Sequence, residues 1–223
     1  MVYKTEIAGI AYRFNSFGEL LAKASPARSG DILVGVAADS NLQRVAAQWV
    51  LADVPLKQFL LEALIPCATD DVSCLIFQQH DQQAFALVSH LTVGGFRDWL
   101  LSDASTSEIL QQLAWGLTPE LVAAVSKLMR IQNFILVARK YRVVTQFRNT
   151  PGLQHRLSPR LKPNHPTDDP AGIAAVILDG LLYGSGDAVI GINPASDNLQ
   201  ATQVLIQMLS DVIERYQIPT QSC

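Results

Sequence analysis

An α/β protein is predicted, with a helix-rich front and a strand–helix alternation behind it. Three observations carry this. Up to residue 140, apolar residues recur three and four apart between capping residues, the mark of amphipathic helices. After Lys140, β-prone runs alternate with helical ones, which is the grammar of a parallel sheet with right-handed crossovers. At 223 residues, 49% hydrophobic and 17% charged, the chain can bury a sizeable core. The predicted division is therefore a mainly helical region over 1–140 and a sheet-building region over 141–223.

The elements follow in order. In "NSFGELLAKA", Ser16 and Glu19 have capping-box spacing. "DSNLQRVAAQWVLAD" puts Leu42, Val45, Ala46 and Trp49 on one helical face. Pro55 suits the first turn of a helix in "PLKQFLLEAL". "TVGGFRDWLLSD" and "STSEILQQLAWGL" read as shorter helices, the second ending near Gly116. "TPELVAAVSKLMRIQNFILVARK" reads as one long helix, with Thr118 as cap, Pro119 first, Glu120 in the first turn and basic residues last. Its stripe of Leu121, Val125 and Leu128, with Val122 and Met129 alongside, is core packing.

"YRVVTQF" is the predicted first strand of the second region. The Pro-rich, charged "RLSPRLKPNHPTDD" follows, then a helix in "DPAGIAAVILDGLLYG" ending at Gly184. "DAVIGIN" reads as a buried parallel strand. A helix in "SDNLQATQVLIQMLSDVIERY" follows, capped by Ser196 or Asp197, and "IPTQSC" opens a third strand. A sheet stopping at Cys223 has an unpaired edge.

Several function classes are excluded by composition. Seventeen basic against twenty acidic residues give a net charge of −3 with no basic block, so a nucleic-acid partner is not expected. The start has no signal-peptide pattern, and no window reaches the roughly 18 uninterrupted apolar residues of a membrane span. Cys67, Cys74 and Cys223 fit buried thiols in a reducing cytosol. A soluble cytoplasmic protein is expected.

Sites in parallel sheets collect where strands end. That rule selects Arg160 and Lys162 near the first strand, and Asn193 and Pro194 after "DAVIGI". The Arg160 guanidinium is a planar fork of donors and the Asn193 amide both donates and accepts, so together they suit a small hydroxylated or anionic ligand. Equally, Asn193 and Pro194 suit a plain turn into the next helix. In "HPTDD", Thr167, Asp168 and Asp169 precede a helix and read as caps rather than metal ligands. "YGSGD" precedes a strand, whereas a phosphate loop follows one. His80 and His90 have no partner visible in sequence. No nucleophile elbow, CxxC or HExxH is present, so no catalytic residue and no metal ligand is nominated.

"RLSPRLKPNHPTDD", "GIAAVILDGLLYGSGDAVIGINPASDN" and "IPTQSC", together with "ARSGDILVGVAADSNLQRVAA" and "GLTPELVAAVSKLM", closely resemble the ethanolamine ammonia-lyase large subunit. The resemblance runs from near the N-terminus to Cys223. It implies a helical region leading into a (β/α)8 TIM barrel, of which this chain holds the first two strand–helix units. It implies an adenosylcobalamin-dependent radical reaction turning ethanolamine into acetaldehyde and ammonia, with cobalt–carbon homolysis supplying a 5′-deoxyadenosyl radical. A small-subunit partner and homo-oligomers of the large subunit are implied too, in the cytoplasm or inside a bacterial microcompartment.

Residue by residue, Arg160 and Asn193 match substrate-hydroxyl contacts and Pro194 matches a position beside the corrin. The family usually has Gln where this chain has Lys162, near the substrate amine. The family's chain is about twice as long, and its missing half carries most barrel strands and the acidic groups that grip the amine. This chain alone is therefore expected to be inactive, the alternative being a catalytically inactive remnant that serves as a subunit-interaction module.

Overall fold

The structure, a computed structural model, describes residues 3–141, 143–146 and 148–223. Within it the chain forms two compact units, Met1–Tyr141 and Arg142–Cys223. Its elements are mostly helical with two small sheets, an α/β protein.

The first unit opens on a hairpin that the helical reading missed. Strand β1 (Tyr3–Ile7) pairs antiparallel with β2 (Ile10–Phe14), Tyr3 opposite Phe14. Ala8 and Gly9 form the two-residue turn at φ 52° and 77°, the positive-φ pair that matches strand twist. Tyr3 and Phe14 are buried. Phe17, on helix α1 (Phe17–Lys23), stacks on Tyr3 and meets Phe59 edge-on at 4.9 Å. The capping pair is present: Ser16 Oγ accepts from the Glu19 N–H, and Glu19 accepts from the Asn15 N–H.

After the short α2 (Ser29–Leu33), α3 (Asn41–Ala52) is capped by Ser40. It turns Ala46, Ala47 and Leu51 inward against α1 and the hairpin. The expected face of Leu42, Val45, Ala46 and Trp49 is therefore displaced, and Trp49 is 57% exposed. The two alanines win because only small side chains allow the hairpin and α1 to approach this closely. Pro55 does not begin a helix. It bridges Thr92 antiparallel, and α4 is a single turn, Gln58–Leu61.

Helices α5 (Asp71–Gln78), α6 (Gln82–Ala86), α7 (Val93–Leu101) and α8 (Ser107–Leu113) follow, and a 3-10 turn closes at Gly116. The long helix expected after Thr118 is two helices, α9 (Pro119–Ser126) and α10 (Ile131–Lys140). Asn133 recaps the chain by accepting from the Arg130 N–H, and Gln48 Nε2 donates to the freed Lys127 carbonyl at 3.0 Å. Leu121 and Val125 are core residues with Leu128 and Met129 packed against them, but Val122 is exposed.

In the second unit, "YRVVTQF" is not a strand at its described positions (Arg142 and Phe147 lie outside the described residues). Val143 and Val144 are more than half exposed. β-propensity reflects packing on a paired surface, and among the described residues these valines lie in no strand ladder. The first strand is instead β3 (Arg160–Leu161), inside the Pro-rich stretch. Pro159 and Pro163 bracket it, holding the backbone extended while limiting the ladder to two residues.

Helix α11 (Pro170–Leu182) leads to β4 (Val189–Ile190), parallel to β3 with Arg160 opposite Val189. Helix α12 (Leu199–Arg215) then returns the chain to Ser222, which bridges Ile190 in parallel. Its cap is Asn198, not Ser196 or Asp197. Ile173, Ile177, Ile190, Leu205, Leu209 and Ile213 form the core, with Leu161 packed against it. Gly180 of α11 admits Leu161, whose Cδ1 lies 2.5 Å from where a Cβ would stand. Cys67 and Cys223 are exposed and Cys74 is half-buried, so the thiols are not the core residues expected.

Candidate functional site

Alternation along a strand sends Leu161 toward the helices and Arg160 to the opposite face. There the Arg160 guanidinium crosses β4 at Gly191 and reaches Cys223, donating from Nη2 to Sγ at 3.0 Å. A Cβ on Gly191 would lie 2.8 Å from Nη2 and 2.9 Å from Cys223 Sγ. Glycine here is a requirement of space: the side chain of one strand lies over the backbone of the next. Ladder bonds continue past the short strands, with Gly191 N–H donating to the Leu161 carbonyl and Ile192 N–H to the Cys223 carbonyl, both at 2.9 Å.

Two residues beyond Gly191 the chain reaches Asn193 and Pro194, at the exit of β4. Asn193 is exposed and Pro194 half-buried. Asp168 holds this exit. Its Oδ1 accepts from the Ala195 N–H at 2.7 Å, and its Oδ2 accepts from the Ser196 N–H at 3.1 Å and the Ser196 hydroxyl at 2.8 Å. The Ala195 and Ser196 donors, with the nearby His165 charge, hold the carboxyl below the usual carboxylate range against the opposing effect of burial. Its backbone sits at φ 53°, a left-handed conformation costly for aspartate unless its surroundings fix it.

Of the three residues read as caps in "HPTDD", only Asp169 caps α11, accepting from the Gly172 N–H at 2.7 Å. Thr167 pairs with His165 at 3.0 Å, and Asp168 ties the exit of β3 to that of β4. Sequence reasoning missed this clamp. The available signal was two adjacent aspartates ahead of a single helix, only one of which can cap it.

Lys162 is exposed, and no hydrogen bond or ion pair links it to another described residue. The structure thus lays the Arg160 side chain over Gly191, two residues before Asn193, and bonds Asp168 to Ala195 and Ser196, just after Pro194. It forms no hydrogen bond among Arg160, Lys162 and Asn193 themselves. The arrangement offers a guanidinium at the start of β3, an ammonium just past its end and an amide beyond β4, groups whose chemistry suits a small polar ligand. No cluster of three His, Cys, Asp or Glu side chains suited to a metal occurs among the described residues, and none of their helices is long and apolar enough to cross a membrane.

Comparison with known proteins identifies the family. The family model described as "Ethanolamine ammonia lyase large subunit (EutB)" matches residues 12–223. Over all 223 residues the chain is 37% identical to the ethanolamine ammonia-lyase large subunit of Escherichia coli (strain K12). It is 36% identical to that of Salmonella typhimurium (strain LT2). In each case all of this chain aligns with 49% of the relative, so it spans about half the length of the curated relatives it matches.

Proposed function

The chain belongs to the ethanolamine ammonia-lyase large-subunit family, and from that premise we propose that it is the N-terminal half of a lyase that deaminates ethanolamine with adenosylcobalamin. The observation that carries the reading is the family match from residue 12 to 223, which includes Arg160, Asn193 and the clamp that orders their loops. The parallel order of β3, β4 and residue Ser222, each crossing made through a helix, supports a (β/α)8 barrel whose first strands these are.

On this reading each residue has a defined task. Arg160, steadied over Gly191, donates to the substrate hydroxyl. Asn193 adds a second polar contact to the same oxygen, so the substrate carbon is presented in one orientation. Pro194 would pack its rigid apolar ring against the corrin. The residues fit the group in that respect: Pro194 is half-buried beside the exposed Asn193, and the Ser196 hydroxyl after it is already spent on Asp168. Adenosylcobalamin, when bound, would supply the radical chemistry, while these residues would hold and orient the substrate. A small-subunit partner, self-association of the large subunit and a cytoplasmic or microcompartment location follow from the same reading.

Eight strands are needed to close such a barrel, so the 223-residue chain alone is expected to be inactive. The test follows corrin absorbance as adenosylcobalamin is titrated into the chain, with and without a cognate small subunit, before ethanolamine is added. No cleavage with the chain alone, and substrate-triggered cleavage once a second-half polypeptide is supplied, supports the reading. Absence of cleavage even in that complemented assembly refutes it and favours the alternative, a catalytically inactive interaction module.

A further inference from the structure

Far from the strand exits in sequence, the first unit holds a cavity of about 840 Å³. Arg28, ahead of α2, Arg44 on α3 and Lys127, just after α9, line it together with Asp31. Three positive side chains against one carboxylate leave it with two positive charges in excess. The ion pairs among the described residues are Lys23–Asp39 and Arg97–Asp98, so none of the three cations is in one, and none of their side chains donates a hydrogen bond to a described residue. Gln48, also in the lining, carries no charge to offset them, and its amide nitrogen donates to the Ala24 and Lys127 carbonyls. Phe134 and Met129 add an apolar wall.

We propose that this cavity binds a phosphate-bearing small molecule, its phosphate among Arg28, Arg44 and Lys127 and its organic part against Phe134 and Met129. A phosphate monoester carries close to two negative charges near neutral pH, matching the excess. Its three oxygens suit two guanidinium forks and an ammonium better than a single carboxylate does. The volume falls within the roughly 300–1,000 Å³ of small-molecule sites. Burial and the neighbouring Arg28 charge push the Lys127 ammonium below the ordinary lysine range, with Asp31 opposing; the negative charge of a bound oxyanion would act in the same sense as Asp31.

The test uses the intact chain with inorganic phosphate and phenyl phosphate, read by thermal midpoint and titration calorimetry against sodium chloride of equal ionic strength. A saturable rise in midpoint with both probes is expected, with phenyl phosphate the tighter. Lys127→Gln and Arg28→Gln should each weaken binding by about tenfold or more, the scale of one lost charge-assisted hydrogen bond. Arg139→Gln, an exposed cation outside the cavity, should change nothing. No saturable rise beyond the chloride control, or equal weakening by Arg139→Gln, overturns the site. Phenyl phosphate binding no tighter than phosphate overturns the role given to Phe134 and Met129.

Discussion

Asp168 shows how one carboxylate can order a site it does not enter. Because its native pKa lies below the unfolded value of about 3.9, its stabilising effect is present in full above that pH and fades as pH falls through the lower native value. Asp168→Asn turns an amide N–H₂ toward donors on Ala195 and Ser196, so the clamp fails at neutral pH. Urea midpoints of wild type and Asp168→Asn should differ clearly at pH 7 and converge on acidification below pH ~4. A constant difference across that range would assign the defect to something other than the charge. Lys162 is the opposite case, an exposed cation with no described partner. At about 4 Å from a substrate ammonium it repels by roughly 1 kcal/mol at the dielectric of water and roughly 4 kcal/mol at an effective value of 20. Lys162→Gln in the complemented assembly should lower KM for ethanolamine at least about fivefold. An unchanged KM would mean the ammonium points elsewhere. Arg160 and Asn193 could be selected from sequence on the rule that strand ends concentrate chemistry, yet Arg160 opens β3 and only Asn193 lies past a strand end. Asp168 could not, since its role depends on a loop 27 residues away.

At the scale of elements, capping chemistry was legible and packing distances were not. Ser16, Thr118 and Asp169 each cap the helix their spacing announces. The Ala8–Gly9 hairpin was also within reach, since two β-prone runs flank a two-residue turn ending in glycine. The break between α9 and α10 was not, because it depends on Gln48 reaching the Lys127 carbonyl from another helix. Close approach also decides what glycines tolerate. A Cβ on Gly116 would stand 2.5 Å from the Phe85 backbone nitrogen, where nothing flexible can yield. Gly116→Ala should therefore destabilise the first unit by about 2–3 kcal/mol. Gly30, inside α2 with open space around it, has no such neighbour, and Gly30→Ala should stabilise by about 0.5–1 kcal/mol. Chemical denaturation of both variants checks the pair; equal effects would mean that the approach of Gly116 to Phe85 is not a constraint.

Across the whole molecule the two units are unequally provided for. The first buries aromatic and aliphatic side chains from its hairpin and from helices α1, α3, α4, α6, α7, α8 and α9 around one core. The core of the second, among its described residues, is six buried aliphatic side chains for a chain segment of about 80 residues. Ordering costs roughly 1–2 kcal/mol per residue for the backbone alone, so such a core leaves little margin. Its parallel ladder is packed by helices on the Leu161 and Ile190 face, while the opposite face carries Arg160, Gly191 and Cys223. Parallel sheets are normally covered on both faces, and in a barrel that second face becomes the filled interior. The second unit should therefore lose structure first. Hydrogen exchange read by mass spectrometry should show amides of α11 and α12 exchanging well ahead of those in α3 and α7, by a factor of about 100 if the units differ by some 3 kcal/mol. Adding a polypeptide that supplies the second half of the relatives' length should slow α11 and α12 selectively. If α11 and α12 already exchange as slowly as α3, the two strand–helix units are a self-sufficient fold, and the need for a closed barrel to stabilise this region falls away.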